Sequence, residues 1–244
     1  MEIVLIRHAQ PHWEPGGVGD DDPALTDLGR EQARCAAELL GSERFDAFYV
    51  SPTRRTRDTA APIAEALSLE PNVVPWLREI GLPPLEGQTT DEIRKYFAAA
   101  RAREMDDWWA GLPGGENFRH FNERIAAGIE SLLSDHHRVE IHEDPGQRFW
   151  QIPPEDPTRI LIVAHAGVSA VLVSHLLGLE TVPWAWLRFC VAWSGISRLR
   201  SMHFPDGCIW ALETFNDTRH LSALDHADAG DGREQPHYLP HGYA

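Results

Sequence analysis

One stretch constrains the fold of this 244-residue chain more than any other, the apolar run from Ile160 to Gly178. It approaches the ~20 residues a membrane-spanning helix needs. Yet it contains His165, Gly167, Ser169, Ser174 and His175, and it opens on a β-branched run. Both facts fit a buried strand, Arg159–Ala164, followed by a buried helix, Ala166–Leu177. The same alternation runs along the rest of the chain. Glu2–Arg7 reads as a buried strand, Thr26 opens a helix with Ala33, Ala36, Ala37 and Leu40 on one face, and Phe45–Val50 reads as the next strand. Ser51-Pro52 has the chemistry of a helix start, with Ala60, Ile63 and Leu67 as the apolar stripe that follows. Asn72–Trp76 is a weaker strand. A helix is expected from Thr89 or Thr90 to about Trp109, and another carries Phe118, Phe121, Ile125, Ile129 and Leu132. Two more strands are expected near Ile196–His203 and Cys208–Phe215 with no helix between them.

Strands alternating with helices predict an α/β protein: a three-layer α/β/α sandwich around a mostly parallel central sheet. The last two strands are expected to form an antiparallel edge. Residues 1–221 read as a single domain. Within it, 136–158 is broken by Pro145, Gly146, Pro153, Pro154 and Pro157 and is expected as a surface insertion or lid. Residues 222–244 are polar and aperiodic and are expected as a flexible tail.

Composition excludes several classes of function. Lys plus Arg is 22 against 37 Asp plus Glu, a formal charge of −15. Such a chain repels nucleic acid and anionic membranes over most of its surface, so an anionic ligand needs a local cationic pocket. Cys35, Cys190 and Cys208 are far apart, which argues against a disulfide framework and a structural zinc site. The opening MEIVLIRHAQ does not read as a signal peptide, and a soluble cytoplasmic protein is expected.

Sites in such sheets form beyond the carboxyl ends of the strands. Arg7-His8 follows the first strand, Ser51–Arg55 the second, Glu79 the third, and His165 with the helix start at Ala166 follows the Arg159–Ala164 strand. Two arginines, two histidines and a carboxyl group therefore share one edge. The set suits a phosphate monoester. Guanidinium forks match phosphate oxygens, and a helix N-terminus adds N–H donors. A neutral imidazole can attack phosphorus, and a carboxyl group can protonate the leaving oxygen. No metal or cofactor is called for, because the fixed cations can stabilise the transition state.

These residues resemble the histidine phosphatase superfamily, whose fold is phosphoglycerate mutase-like. LIRHAQ looks like its RHG signature. LTDLGREQA (25–33), SPTRRTRDTA (51–60), LREIGLPPLEG (77–87) and VAHAGV (163–168) are similar to family segments in order and spacing. PGGENFRHFNERI (113–125) and FNDTRHL (215–221) also look like family segments, so the resemblance spans roughly 1–221. It implies that His8 is the nucleophile that becomes phosphohistidine. Arg7, Arg55 and His165 would hold the phosphoryl oxygens, with Ala166 at the phosphate-binding helix start. Glu79 would be the proton donor and then the base for water. The substrate would be a small phosphorylated molecule, and family members are often homodimers.

Some positions depart from the pattern. Ala9 replaces the usual Gly, Pro11 a Ser or Thr, Glu14 an Asn common in mutases, and Asp58 a common Gln. No adjacent Arg-Arg pair lies between Ala98 and Phe118 to hold a mutase substrate's carboxylate. These changes favour hydrolysis over a cofactor-dependent mutase, and Ala9 keeps open a non-catalytic phospho-ligand binder. Specificity is expected from 16–23, 95–113 and 136–157.

Other features have plainer readings. A lone His8 would read as well as a structural residue, and the convergence of five residues decides otherwise. Arg54, Arg55 and Arg57 would read as a solvated helix face; position alone does not choose among them, and the spacing of the family they resemble picks Arg55. Glu86 is a neighbour that competes with Glu79. Trp108, Trp109, Trp184 and Trp186 are expected to pack in the core rather than line a pocket. His136, His137 and His142 are expected as loop histidines rather than metal ligands. Asp20-Asp21-Asp22 is expected as a loop.

Overall fold

A computed structural model describes residues 1–144, 147–184 and 188–224. Trp186 and residues 225–244 of the expected tail lie outside the described residues. Among the described residues there are eight strands in one sheet: β1 (Glu2–Arg7), β2 (Ala47–Val50), β3 (Asn72–Val73), β4 (Glu140–Asp144), β5 (Gln147–Gln151), β6 (Arg159–Ala164), β7 (Ile196–Phe204) and β8 (Gly207–Asp217). The helices are α1 (Asp27–Leu40), α2 (Arg54–Leu67), α3 (Thr90–Arg101), α4 (Phe118–Ser131) and α5 (Ala166–Leu176).

The strand order is β3-β2-β6-β1-β7-β8-β5-β4. β3, β2, β6 and β1 are mutually parallel, and the sheet continues antiparallel through β7, β8, β5 and β4. The expected antiparallel edge is present and is wider than the sequence suggested. The alternation along β1 and β6 explains the layers, because successive side chains in a strand point to opposite faces. Val4, Ile6, Leu161 and Val163 pack with α1 and α2 on one face. Ile3, Leu5, Ile160 and Ile162 pack with α4 and α5 on the other. Each such side chain taken fully from water stabilises the fold by about 1.5–3 kcal/mol.

The apolar run of 160–178 has its account here. β6 is flanked on both sides by strands, and every residue of α5 but His175 is buried. Among the described residues no helix is long and apolar enough to cross a membrane.

Several boundaries differ from expectation. α2 begins at Arg54 behind Thr53, not at Ser51-Pro52, because the Ser51 hydroxyl is turned inward to a histidine. The third strand is only two residues long and gives way to a 3-10 turn at Pro75–Leu77. α3 stops at Arg101, and Met105–Ala110 is a separate 3-10 turn. Residues 136–158, expected as a surface insertion, instead contribute the β4–β5 hairpin, which extends the sheet. Trp150 pairs with Cys208 of β8 and is buried. Arg148 reaches Glu130 of α4 at 2.8 Å and pins the hairpin to the helical layer. The hairpin lies at the sheet edge opposite β3 and is no lid.

Candidate active site

The carboxyl ends of β1, β2 and β6 bring the expected residues together. Arg7, His8, Arg55, Glu79 and His165 are all buried, none more than 8% exposed. His8 leaves β1 with its N–H bonded to the Ala164 carbonyl of β6 at 2.9 Å. Its ring is fixed as well. Nδ1 lies 2.8 Å from the Ala9 carbonyl oxygen. A carbonyl can only accept, so Nδ1 carries the proton and Nε2 keeps its lone pair. Burial, then the charges of Arg55 and Arg7, push the His8 pKa well below its ordinary value of 6.5, so the ring is neutral.

The segment after His8 explains the first two motifs. Thr26 caps α1 through the Gly29 N–H, and Gln32 accepts the Gln10 N–H at 2.9 Å. A Cβ on Gly29 would stand 2.2 Å from the Gln10 carbonyl oxygen, so only glycine lets α1 approach. Ala9 is no obstacle: its φ is not in the left-handed region, and its N–H donates to Thr59 of α2 at 2.9 Å.

His165 caps α5 and is fully buried. Its ring lies edge-on to His8, with centroids 5.2 Å apart. Ser51 Oγ is 2.7 Å from its Nε2, and Arg55 Nη2 is 3.4 Å from its Nδ1. A guanidinium can only donate, so Nδ1 accepts from Arg55, and Nε2 carries the proton and donates to Ser51 Oγ. Burial and the Arg55 charge lower the His165 pKa well below 6.5. Arg55 also stacks over Trp13 at 4.8 Å and lies 3.8 Å from Asp22. Asp22 in turn accepts the Arg54 N–H at the start of α2, so the acidic loop clamps this helix end.

Of the two glutamates that compete for the role, Glu79 is buried in the site and Glu86 is exposed; the contacts of Glu79 hold it in place. Its two oxygens accept the N–H groups of Ile80 at 3.0 Å and Gly167 at 2.9 Å. Burial raises its pKa, and those two bonds and the arginines only partly oppose the rise. The loop carrying Glu79 is held by the 113–125 segment. Arg124 donates to the carbonyls of Trp76 and Arg78, and Glu116 accepts the Gly81 N–H.

Sequence reasoning missed residues 191–195. Arg7 donates to the Val191 carbonyl at 2.5 Å and lies 5.7 Å from the Trp193 ring. Ser194, at φ 56°, donates its N–H to the Arg7 carbonyl at 3.1 Å. The available signal was that these residues lead into β7, the neighbour of β1. Trp13 and Arg78 were also missed. They line a cavity of about 270 Å³ that opens from Arg55 and Glu79. Of the regions expected to confer specificity, the 16–23 loop reaches this cavity, Phe97 alone represents 95–113, and the 136–157 hairpin does not reach it. Trp109 packs against Phe118, as expected of a core residue. His137 bonds the Tyr49 hydroxyl, and no group of metal-ligating side chains occurs among the described residues.

Fold and site together define an α/β protein with a cationic pocket built around one neutral, oriented imidazole. The family model of the histidine phosphatase superfamily (branch 1) matches residues 3–142, and the chain belongs to that superfamily. It is 30% identical over 183 residues to phosphoserine phosphatase 1 of Hydrogenobacter thermophilus, covering 74% of this chain and 78% of the relative. It is 28% identical over 229 residues to the probable phosphoglycerate mutase GpmB of Salmonella choleraesuis, covering 91% and 96%. Among solved structures it is similar to the mycobacterial glucosyl-3-phosphoglycerate phosphatase, with a TM-score of 0.68 at 26% identity over 89% of this chain and 99% of the other. The α-ribazole phosphatase of Shigella flexneri, at 24% identity and a TM-score of 0.66 over 89% of this chain and 96% of the other, shares the fold.

Proposed function

We propose that this protein is a phosphomonoesterase that works through a phosphohistidine on His8. The observation that carries the reading is the Nδ1–Ala9 hydrogen bond, which leaves Nε2 unprotonated in a buried, cationic pocket. The Nε2 lone pair attacks phosphorus, the P–O ester bond breaks, and the leaving oxygen takes the proton of Glu79. The Glu79 carboxylate then takes a proton from water. The water oxygen attacks phosphorus, and the P–N electron pair returns to Nε2.

Arg7 and Arg55 neutralise the transferring phosphoryl group. His165 Nε2–H donates to Ser51 Oγ and its Nδ1 accepts Arg55 Nη2 at 3.4 Å, so the ring aims the guanidinium at the phosphoryl group. Phosphatase names among the relatives support hydrolysis, as does the acidic wall of the cavity. The mutase name of another relative keeps transfer to a second hydroxyl as the rival.

The test is hydrolysis of p-nitrophenyl phosphate in excess EDTA by the wild type and His8→Ala. Activity that survives EDTA and disappears in the variant supports the reading. Activity lost in EDTA overturns it, and a phosphoprotein that transfers only to an acceptor alcohol makes the protein a mutase.

A further inference from the structure

We infer that the leaving group accepted by this site is a small alcohol that has apolar surface and bears no second negative charge. The inference rests on the phosphomonoesterase reading and adds the substrate class to it. The cavity beyond Arg55 and Glu79 has a volume of about 270 Å³. Small-molecule sites typically run from ~300 to ~1,000 Å³, so this one takes a compact metabolite and not a phosphorylated protein segment.

One side of the cavity is apolar. Leu85, Ile93 and Phe97 are buried and form a small cluster of their own, so this wall stands without a ligand. Trp13 faces the site as well, stacked on Arg55.

Charge is divided along the cavity. Among the described residues that line it, the cations are Arg55 and Arg78. Arg55 contacts His165 and belongs to the phosphoryl end, and Arg78 is an exposed side chain next to Glu79 in the chain. The carboxylates other than Glu79 are Glu14, Asp20 and Asp21. Glu14 accepts the Thr90 hydroxyl at the start of α3, and Asp21 accepts the Leu85 N–H at 3.2 Å. These bonds fix two negative side chains beside the apolar wall, where the leaving group sits. Arg103, in the segment that lacks an adjacent Arg-Arg pair, is committed to the carbonyls of Ala100 and Gly111 at 2.8 Å each. Among the described residues of the lining, a carboxylate on the leaving group would meet Glu14, Asp20 and Asp21 against Arg78 alone, a net repulsion.

The test uses three esters of one size class: phenyl phosphate, 4-carboxyphenyl phosphate and 4-(aminomethyl)phenyl phosphate. kcat/KM is measured by phosphate release. In parallel, the three benzylphosphonates with the same ring substituents, whose C–P bond is not hydrolysed, are titrated into the wild type by calorimetry. The carboxylated member of each series is expected to be at least about tenfold poorer than its parent, and the aminomethyl member as good or better. In the triple variant Glu14→Gln, Asp20→Asn, Asp21→Asn the gap should narrow to about threefold or less. A carboxylated ligand equal to or better than its parent overturns the inference, as does a gap unchanged in the triple variant or a failure of all three phosphonates to bind. If the phosphonates bind in the expected order but no ester turns over, the hydrolase reading fails and the inference about the cavity stands. If all esters turn over equally, the reverse holds.

Discussion

Replacing Glu79 by glutamine keeps the volume of the side chain and removes the proton that the proposed mechanism assigns to it. Loss of a positioned general acid costs roughly 10²–10⁴-fold. At 1.36 kcal/mol per factor of ten this is about 2.7–5.4 kcal/mol of barrier. The loss should depend on the leaving group. A nitrophenolate departs as a stable anion and needs little protonation, whereas an alkoxide cannot leave without it. The variant should therefore lose about tenfold or less on p-nitrophenyl phosphate and the full roughly 10²–10⁴-fold on an alkyl phosphate.

Stability moves in a way the structure also fixes. Both Glu79 oxygens accept backbone N–H groups, from Ile80 and Gly167. A glutamine amide oxygen can serve one of them, and the other meets an NH₂ group, a cost of about 1–3 kcal/mol. An opposite effect grows with pH. The pKa of Glu79 is raised by burial, so the folded state holds this proton more tightly than the unfolded chain. That contribution is present at low pH and is lost as pH rises through the folded pKa. Glutamine has nothing to lose there, so the Tm deficit of the variant should shrink on going alkaline. The assay is kcat/KM on the two esters beside Tm across pH. Equal losses on both esters, with the fold intact, would refute the assignment of Glu79 as acid.

Three further outcomes are expected. The pKa values of His8 and His165 are depressed from 6.5 in the folded state, so below that pH the unfolded chain binds protons that the native protein does not; stability present above pH 6.5 should fall on acidification by up to about 1.4 kcal/mol per pH unit per histidine, and His165→Asn should remove one histidine's share of the slope in urea midpoints. Ser51→Ala should lower kcat/KM about tenfold while the pH dependence of kcat shifts, because the buried Nε2–H of His165 loses its acceptor and the ring its anchor, and a variant with unchanged kinetics would remove Ser51 from the site. Gly29→Ala forces Cβ against the Gln10 carbonyl and should cost about 1–3 kcal/mol, or some 2–10 °C in Tm at this chain length, measured by calorimetry.

Much of this architecture was legible because local pattern and burial agree. β1, β6 and α5 each carry a continuous apolar run, and their bounds were read to within a residue. The convergence of Arg7, His8 and His165 followed from one topological rule about strand ends, whereas the choice of Arg55 over Arg54 and Arg57 came from resemblance. The β4–β5 hairpin was not legible, since EIHED has one apolar residue, the two of QRFWQ are adjacent rather than alternating, and both segments lie beside prolines. The role of Ser51 was misread because a serine before proline looks like a cap, and only the fold shows a buried histidine within its reach. Val191, Ser194 and Arg124 act through backbone carbonyls and N–H groups, which leave no trace in side-chain chemistry. Glu79 was separated from Glu86 by resemblance, and burial now separates them physically.

The strand order has a consequence for the life of the chain before it is complete. β6 lies between β1 and β2, and its Arg159 meets Glu2 across 157 residues. At roughly 5–20 residues per second of synthesis, the first strand waits roughly 10–30 s for its neighbour. During that interval neither β1 nor β2 has a parallel partner in the centre of the sheet, and His8 has no pocket. An interrupted chain that ends before residue 159 therefore carries the signature segment and none of the activity. The nascent chain therefore carries an apolar N-terminal strand without its central neighbour until its last third emerges, the interval in which exposed strand edges are prone to aggregate.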